Sequence, residues 1–226
     1  MIPRLAMVLA AVCVLQAEDS SPRKVQVTNT QKADLPAGGL LRLKHSRGEV
    51  NIEAWEQPGV EITTIKSTPT AIAEAGREKA RKRLEQVTIS VQREGDELVI
   101  GTDSPRRHGL PSDVDLEYRI KAPKDTRLAV ENGGGEVHIY NLTGDVQASV
   151  GSGTITLLLP AGEAYAIDAR STFGHVNSEF PGQEKRRKWL LGHSFLESSS
   201  APHKLNLRVG YGDIIILKAQ EPAATR

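Results

Sequence analysis

The stretch that decides the fold runs from Val130 to Phe180, where one short phrase returns: Gly135-Glu-Val-His-Ile139, Gly144-Asp-Val-Gln-Ala148, Gly153-Thr-Ile-Thr-Leu157 and Gly174-His-Val-Asn-Ser178. Each begins with glycine and a polar residue and then alternates. The phrase recurs upstream as Gly48-Glu-Val-Asn-Ile52 and downstream as Gly212-Asp-Ile-Ile-Ile216, so it spans most of the chain. Alternation with period two is the pattern of a half-buried strand. Glycine at the head allows a tight bend or a close approach of backbones. Val137, Ile139, Val146, Ala148, Ile155, Leu157 and Val176 are therefore expected in the core. Glu136, His138, Asp145, Thr154, Thr156 and His175 are expected to face outward.

The spacing limits the architecture. From Gly135 to Gly144 and from Gly144 to Gly153 is nine residues each, whereas Gly153 to Gly174 is 21. A rigid short-period β-helix would need one fixed unit length, and none is present. The reading is an all-β, single elongated β-solenoid-like repeat domain with one inserted amphipathic helix, with a two-sheet β-sandwich as the alternative. A composition of 38% hydrophobic but only 4% aromatic residues suits thin aliphatic layers.

The helix is expected over about residues 69–86. Pro69 follows Thr68, and Ile72, Gly76, Ala80 and Leu84 recur every fourth residue, with Arg77, Arg81 and Lys82 among the basic residues around them. That basic face suggests either a lipid or polyanion contact or a solvated face paired with Glu74, Glu78 and Glu85; mixed signs at these spacings favour the second. Residues 183–202, with Gln183 to Lys188 and Glu197 to Pro202 flanking Trp189-Leu-Leu191, read as a long mobile excursion before the last strands.

The first residues carry an address. Met1 to Arg4 is a short basic start, Leu5 to Leu15 is apolar, and Ala17 precedes a polar exit, which is the pattern of a secretory signal peptide over 1–17 with the β-strand-repeat domain over 18–226. An apolar run of about 11 residues falls well short of the roughly 20 that span a bilayer. The lone Cys13 lies inside this run and follows Val12 rather than a small residue, which argues against lipidation. Once it is removed the domain has no thiol. With 29 basic against 28 acidic residues, no global field favours nucleic acid.

No catalytic, cofactor-binding or metal residues are assigned. Gly151-Ser-Gly153 lacks the spacing of a nucleophile elbow, and Gly133 to Gly135 lead into Glu136 rather than a phosphate-loop ending. His138 and His175 occupy comparable places in two units, yet two histidines without cysteine make a weak case for zinc. Asp145 and Asp213 share one slot of the phrase, which suggests turn capping. Asp168, Arg170 and His175 are the first place to look for the alternative function, a carbohydrate-active enzyme using a solenoid groove. Asn141-Leu-Thr143 is a formal glycosylation sequon.

The phrase, the Gly48 to Glu56 segment with Trp55, and the run Val150 to Leu157 followed by Asp168 to Val176 together resemble the bacterial β-strand-repeat domain of unknown function labelled "putative adhesin". The likeness covers roughly Lys24 to Lys218. It implies an extracytoplasmic, all-β, solenoid-like domain with no established enzymatic activity and no catalytic residues to transfer. The expected function is therefore non-enzymatic: binding, adhesion or a cell-envelope scaffold in the periplasm or outside the cell, with an envelope component, a glycan or a protein as partner and no cofactor.

Overall fold

The computed structural model describes residues 21–103, 110–186, 192–197 and 200–219. Residues 1–17, over which a signal peptide is expected and which include Cys13, and Trp189 to Leu191 lie outside the described residues. In chain order the strands are β1 Gln26–Ala33, β2 Leu40–His45, β3 Glu49–Trp55, β4 Val60–Ser67, β5 Thr88–Glu94, β6 Glu97–Asp103, β7 Asp115–Pro123, β8 Arg127–Tyr140 and β9 Val146–Pro160. They continue with β10 Tyr165–Phe173, β11 Val176–Ser178, β12 Gln183–Arg186, β13 His193–Glu197, β14 His203–Tyr211 and β15 Ile214–Ala219; one helix, α1 Glu74–Glu85, interrupts them. All strands join one mixed hydrogen-bonded network that is not closed into a barrel.

The unit of this network is a bent rung, two strand arms joined by a corner. Five rungs stack in parallel in the order β2–β3, β8, β9, β14–β15, β10–β11. Along the first arms, Leu43, Val130, Ala148, Leu207 and Ala169 are consecutive register partners. Val50, Val137, Ile155, Ile214 and Val176 are partners along the second arms. All ten are buried and belong to one hydrophobic cluster. Each contributes on the order of 1 to 3 kcal/mol by leaving water, so the two arms are held together by a shared aliphatic core.

The corner follows one rule. The last buried residue of each first arm and the first of the second are five positions apart: His45 and Val50, Asn132 and Val137, Val150 and Ile155, Val209 and Ile214, Ser171 and Val176. An unbent strand puts residues an odd number apart on opposite faces. The corner cancels that switch, so both arms bury toward the same core. It does so with a glycine at the third corner position, Gly48, Gly135, Gly153, Gly212 and Gly174, with φ of 144, 109, 140, 126 and 147°. Here the backbone of one rung touches the next: a Cβ on Gly135 would lie 2.2 Å from the Gly48 carbonyl oxygen, one on Gly212 1.9 Å from that of Gly153, and one on Gly174 2.1 Å from that of Gly212.

Gly144 is not a corner. It sits at the entrance to β9, and a Cβ there would meet the Thr126 carbonyl at 2.1 Å. The two nine-residue intervals read from the sequence are therefore the two halves of one 18-residue step from Gly135 to Gly153. The stacking order also departs from chain order, because the rung of residues 203–219 lies between those of 146–160 and 165–178. The all-β class with one inserted helix is the architecture observed. The seven expected core residues are buried, Val137, Ile139, Ile155 and Leu157 completely.

Flanking strands extend the stack. On one side β6 adds in parallel to β2 and carries β5, while β7 adds in parallel to β3 and carries β4 and then β1. On the other, β13 pairs antiparallel with β10 and β12 with β13. The expectation of a loop excursion over 183–202 is thus corrected for 183–186 and 193–197, which are strands. Phe195 explains why: it alternates inward from β13 and is 2% exposed.

The helix begins later than expected, at Glu74 rather than near Pro69. Ile72 is engaged by backbone bonds in both directions with Arg23, at 3.2 and 2.8 Å, so it cannot join the first turn. Its apolar stripe does what its spacing implies, with Leu84 buried beside Val25, Val87 and Val114 and with Ala80 and Ile72 packed against them. The basic face is largely paired: Arg77 with Glu74, Lys82 with Glu78, and Arg83 with Asp113 at 2.7 Å. Beneath the helix, Lys66 is buried and its ammonium donates to the Val87 carbonyl at 2.8 Å. Desolvation lowers its pKa, and the Glu85 carboxylate works against that shift.

Candidate functional site

The residues alternating outward from the first arms form two rows across the stack. Arg42, Ala129, Gln147, Asn206 and Asp168 are successive register partners in one row, and Lys44, Glu131, Ser149, Arg208 and Arg170 in the other. Parallel strands about 4.8 Å apart bring each side chain within reach of its neighbours. Apart from Ala129, which is apolar and buried, every member of the two rows is polar, and backbone register assembles them into one face.

Charge on this face is arranged in clusters. Arg42 pairs with Glu97 and Lys44 with Glu131, the latter at 3.3 Å. Between them lies a cavity of about 510 Å³ lined by Arg42, Lys44, Glu131, Asn132, Gln147 and Ser149 among others. At the far end, Asp168 receives Arg208 Nη2 at 2.7 Å on Oδ2 and Arg170 Nε at 3.0 Å on Oδ1. Arg208 Nη1 donates in addition to the Asp168 carbonyl at 2.7 Å. Partial burial would raise the Asp168 pKa, but the hydrogen bonds and charges of Arg208 and Arg170 outweigh it and hold the carboxyl below its usual range.

Of the three residues singled out for enzymatic chemistry, Asp168 and Arg170 lie together. His175 does not join them. It sits beyond the corner, where its backbone N–H donates to Asp213 Oδ1 at 2.7 Å and its ring lies 4.8 Å from that of His193. Arg208 completes the Asp168 cluster and was not foreseen. The alternation Leu205-Asn-Leu-Arg-Val209 marks it as outward, but nothing in the sequence places it beside Asp168, 40 residues away. Asp145 Oδ1 likewise accepts a backbone N–H, from Lys204 at 2.8 Å, so the two aspartates of the shared slot both tie one rung to the next.

His138 and His175 do not face one another. His138 meets Glu136 at 3.0 Å and stacks on Tyr140, whereas His175 is on the terminal rung. Among the described residues no group of three or more His, Cys, Asp or Glu is placed to hold a metal. No helix among them is long and apolar enough to cross a membrane.

A second outward feature is aromatic. Tyr211 and Phe173 occupy the second corner position of neighbouring rungs, with ring centroids 4.7 Å apart and planes within 7°. They are 61% and 36% exposed. Each immediately precedes a phrase glycine, as Tyr211-Gly212 and Phe173-Gly174, so the alignment of the two phrases was the available signal.

Stacked, glycine-cornered rungs with one outward face rich in charged and polar side chains define the class of the molecule, an all-β protein with one inserted helix. No protein-family model matches the chain, and no characterised protein matches it in sequence. Solved structures do match it. One is described as a "putative cell adhesion protein" from Clostridium sporogenes ATCC 15579, 14% identical, covering 86% of this chain and 100% of that one with a TM-score of 0.50. A "putative adhesin" from Bacteroides fragilis NCTC 9343 is 11% identical over 87% of this chain and 99% of that one, with a TM-score of 0.36. A "putative lipid binding protein" from Parabacteroides distasonis ATCC 8503 is 10% identical over 85% and 97%, with a TM-score of 0.24. The Clostridium protein carries the comparison, and what it shares with this chain is the fold. The fold implied by the resemblance read from the repeat phrase is the one shared with the Clostridium structure, itself described as a putative cell adhesion protein.

Proposed function

We propose that residues 18–226 form an extracytoplasmic, non-enzymatic binding module, an adhesion or envelope-scaffold protein, released after Ala17 by removal of a signal peptide over 1–17. We read its stacked rungs as one elongated, solenoid-like domain whose first-arm face meets an envelope component, a glycan or a protein. The observation that carries this is the pair of in-register polar rows from Arg42 and Lys44 to Asp168 and Arg170. Such a face suits a broad, polar and partly solvated contact. Support from the solved structures is limited to a shared fold.

The enzymatic reading has less behind it. A glycosidase needs two carboxyl groups flanking the bond, one of them holding a proton. Asp168, the one acidic member of the candidate trio, is held ionised by two arginines, and both its oxygens are engaged. Turnover of a polysaccharide that Asp168→Asn abolishes would reverse this judgement.

Retention of the mature chain on bacterial envelope fractions tests the proposal. We expect the wild type to be retained and Arg208→Glu, which sets a like charge beside Asp168 on the face, to reduce retention at least fivefold at a temperature at which circular dichroism shows both proteins folded. Absence of wild-type retention, or equal retention of the variant, would count against it.

A further inference from the structure

We propose that β1 is a docking edge for a second copy of this chain, which pairs antiparallel with it about Asn29 and joins two sheets into one. β4 is the strand partner of β1, and among the described residues no strand lies beyond it. Natural sheets blunt such free edges with charge, proline or a bulge. β12, at the opposite end, carries Glu184, Lys185 and Arg186 among its four residues, and β5 ends on Arg93 and Glu94. β1 reads Gln26-Val-Thr-Asn-Thr-Gln-Lys-Ala33, with no proline and with Lys32 as its one charge, and its register with β4 runs without a bulge.

The hydrogen bonds say which backbone groups this edge offers. Thr68 N–H donates to the Val25 carbonyl at 3.0 Å and Val25 N–H donates to Thr68 Oγ1 at 3.1 Å, so the peptide groups of Val25 face the β4 side. In an antiparallel ladder that orientation repeats every second residue. Val27, Asn29, Gln31 and Ala33 therefore turn their backbone groups to β4, and the 2.9 Å contact between the Thr30 and Thr63 hydroxyls falls on a pair that exchanges no backbone bonds, where side chains come closest. The N–H and carbonyl groups of Gln26, Thr28, Thr30 and Lys32 are left facing the open edge. The side chains of all four are exposed.

Self-complementarity names the occupant. Two identical edges closed by a two-fold axis run antiparallel, and the outward groups meet only in registers that set even-numbered residues opposite even-numbered ones. An axis through Asn29 pairs Gln26 with Lys32 and Thr28 with Thr30, in both directions, so that every outward group of the strand finds a partner. The same register sets the exposed Lys24 of each copy opposite the exposed Asp34 of the other. An axis through Thr28 would set Lys24 against Lys32, and one through Thr30 would leave Lys24 facing Pro36. β1 joins the stack through β4 and β7 on the second-arm side, so pairing there leaves the first-arm rows of both copies open. The dimer presents two such faces to a repetitive surface, whatever each face binds.

Sedimentation equilibrium of the mature chain from about 5 to about 500 μM, the range of a small interface, tests the inference. We expect the mass to rise with concentration toward that of a dimer. Thr28→Pro removes an outward N–H that β4 does not use, so it should raise the dimer Kd at least tenfold while circular dichroism shows a folded chain. Asp34→Lys sets like charges together at both ends of the paired strands and should raise the Kd at least fivefold; adding Lys24→Asp restores the opposite signs and should bring it back to within twofold of the wild type. A wild type that stays monomeric throughout overturns the inference, even where a strand of another protein occupies the edge. So does a Thr28→Pro chain that dimerises as the wild type does, or a double variant that binds no tighter than Asp34→Lys alone.

Discussion

Gly153→Ala should cost more than about 4 kcal/mol of folding stability, enough to prevent a marginal domain from accumulating as soluble protein. The added methyl would stand 1.9 Å from the Gly135 carbonyl oxygen and 2.8 Å from its carbon, atoms of a backbone that cannot swing aside as a side chain can. Relief requires the two central rungs to separate by more than an ångström at the corner. That breaks hydrogen bonds and opens the aliphatic core on both arms. The φ of 140° adds strain of its own. Gly95→Ala is the control for the backbone contribution, since Gly95 has φ 65° in a hairpin turn and nothing within 4 Å of its added Cβ. It should cost only about 1 kcal/mol. Urea unfolding of both variants gives the comparison, and a Gly153→Ala variant within 1 kcal/mol of Gly95→Ala would refute the close-packed corner.

What the sequence discloses is what depends on neighbouring residues. Alternation around Val137, Ile155 and Val176 points these side chains inward whatever rung lies beside them, because strand pleating is local. Glycine at the head of each phrase signals a bend for the same reason. The order of the rungs is another matter. Every phrase offers the same pattern of inward aliphatics, so β14 would fit beside several partners equally well by pattern alone, and only its full three-dimensional packing places it between β9 and β10. The pairing of Arg208 with Asp168, the key to the polar face, inherits that ambiguity. Gly144 misled for a related reason: Gly-Asp-Val-Gln-Ala copies the phrase, but it opens a first arm whereas the others open second arms. Leaving Gly144 out still gives no fixed period, because the corner glycines Gly48, Gly135, Gly153, Gly174 and Gly212 step by 87, 18, 21 and 38 residues and successive rungs are joined by connections of unequal length.

The helix start shows a different limit. Thr68-Pro69 is a sound local signal for a helix N-terminus. A long-range bridge between Arg23 and Ile72 overrides it, and Thr68 Oγ1 turns instead to the Thr70 carbonyl at 2.8 Å. Phe195 was hidden similarly: a five-residue strand carries little periodic weight, yet β13, between β10 and β12, turns one bulky side chain inward onto the core. The polar face and the stacked Tyr211–Phe173 pair share this origin. Both are surfaces written by register, and both arise where outward positions that are distant in the chain become neighbours along the stack.

Acidification from pH 7 to pH 4 should remove about 3 kcal/mol of stability through His45 alone. This imidazole is 4% exposed at the end of β2, packed edge-on against Tyr118 at 5.2 Å and with Nδ1 3.2 Å from Thr102 Oγ1. Burial is the main cause of a pKa lowered from 6.5 to about 4; a backbone hydrogen bond at Arg47 opposes it, and the Arg47 charge adds to the lowering. The folded protein therefore takes up the proton less readily than the unfolded chain. Above pH 6.5 both states hold a neutral ring and the full stability is present. Between pH 6.5 and about 4 the unfolded chain is protonated and the folded one is not, so stability falls throughout that window and levels off below it. His45→Gln keeps a polar side chain of similar reach without titrating. Stability from urea unfolding at pH 7, 5.5 and 4 should decline about 3 kcal/mol more steeply for the wild type than for His45→Gln, whose remaining slope reports carboxylates such as Asp168. Parallel slopes for the two proteins would show that the buried ring accepts its proton without cost, and would mean that the packing around Tyr118 opens to admit water.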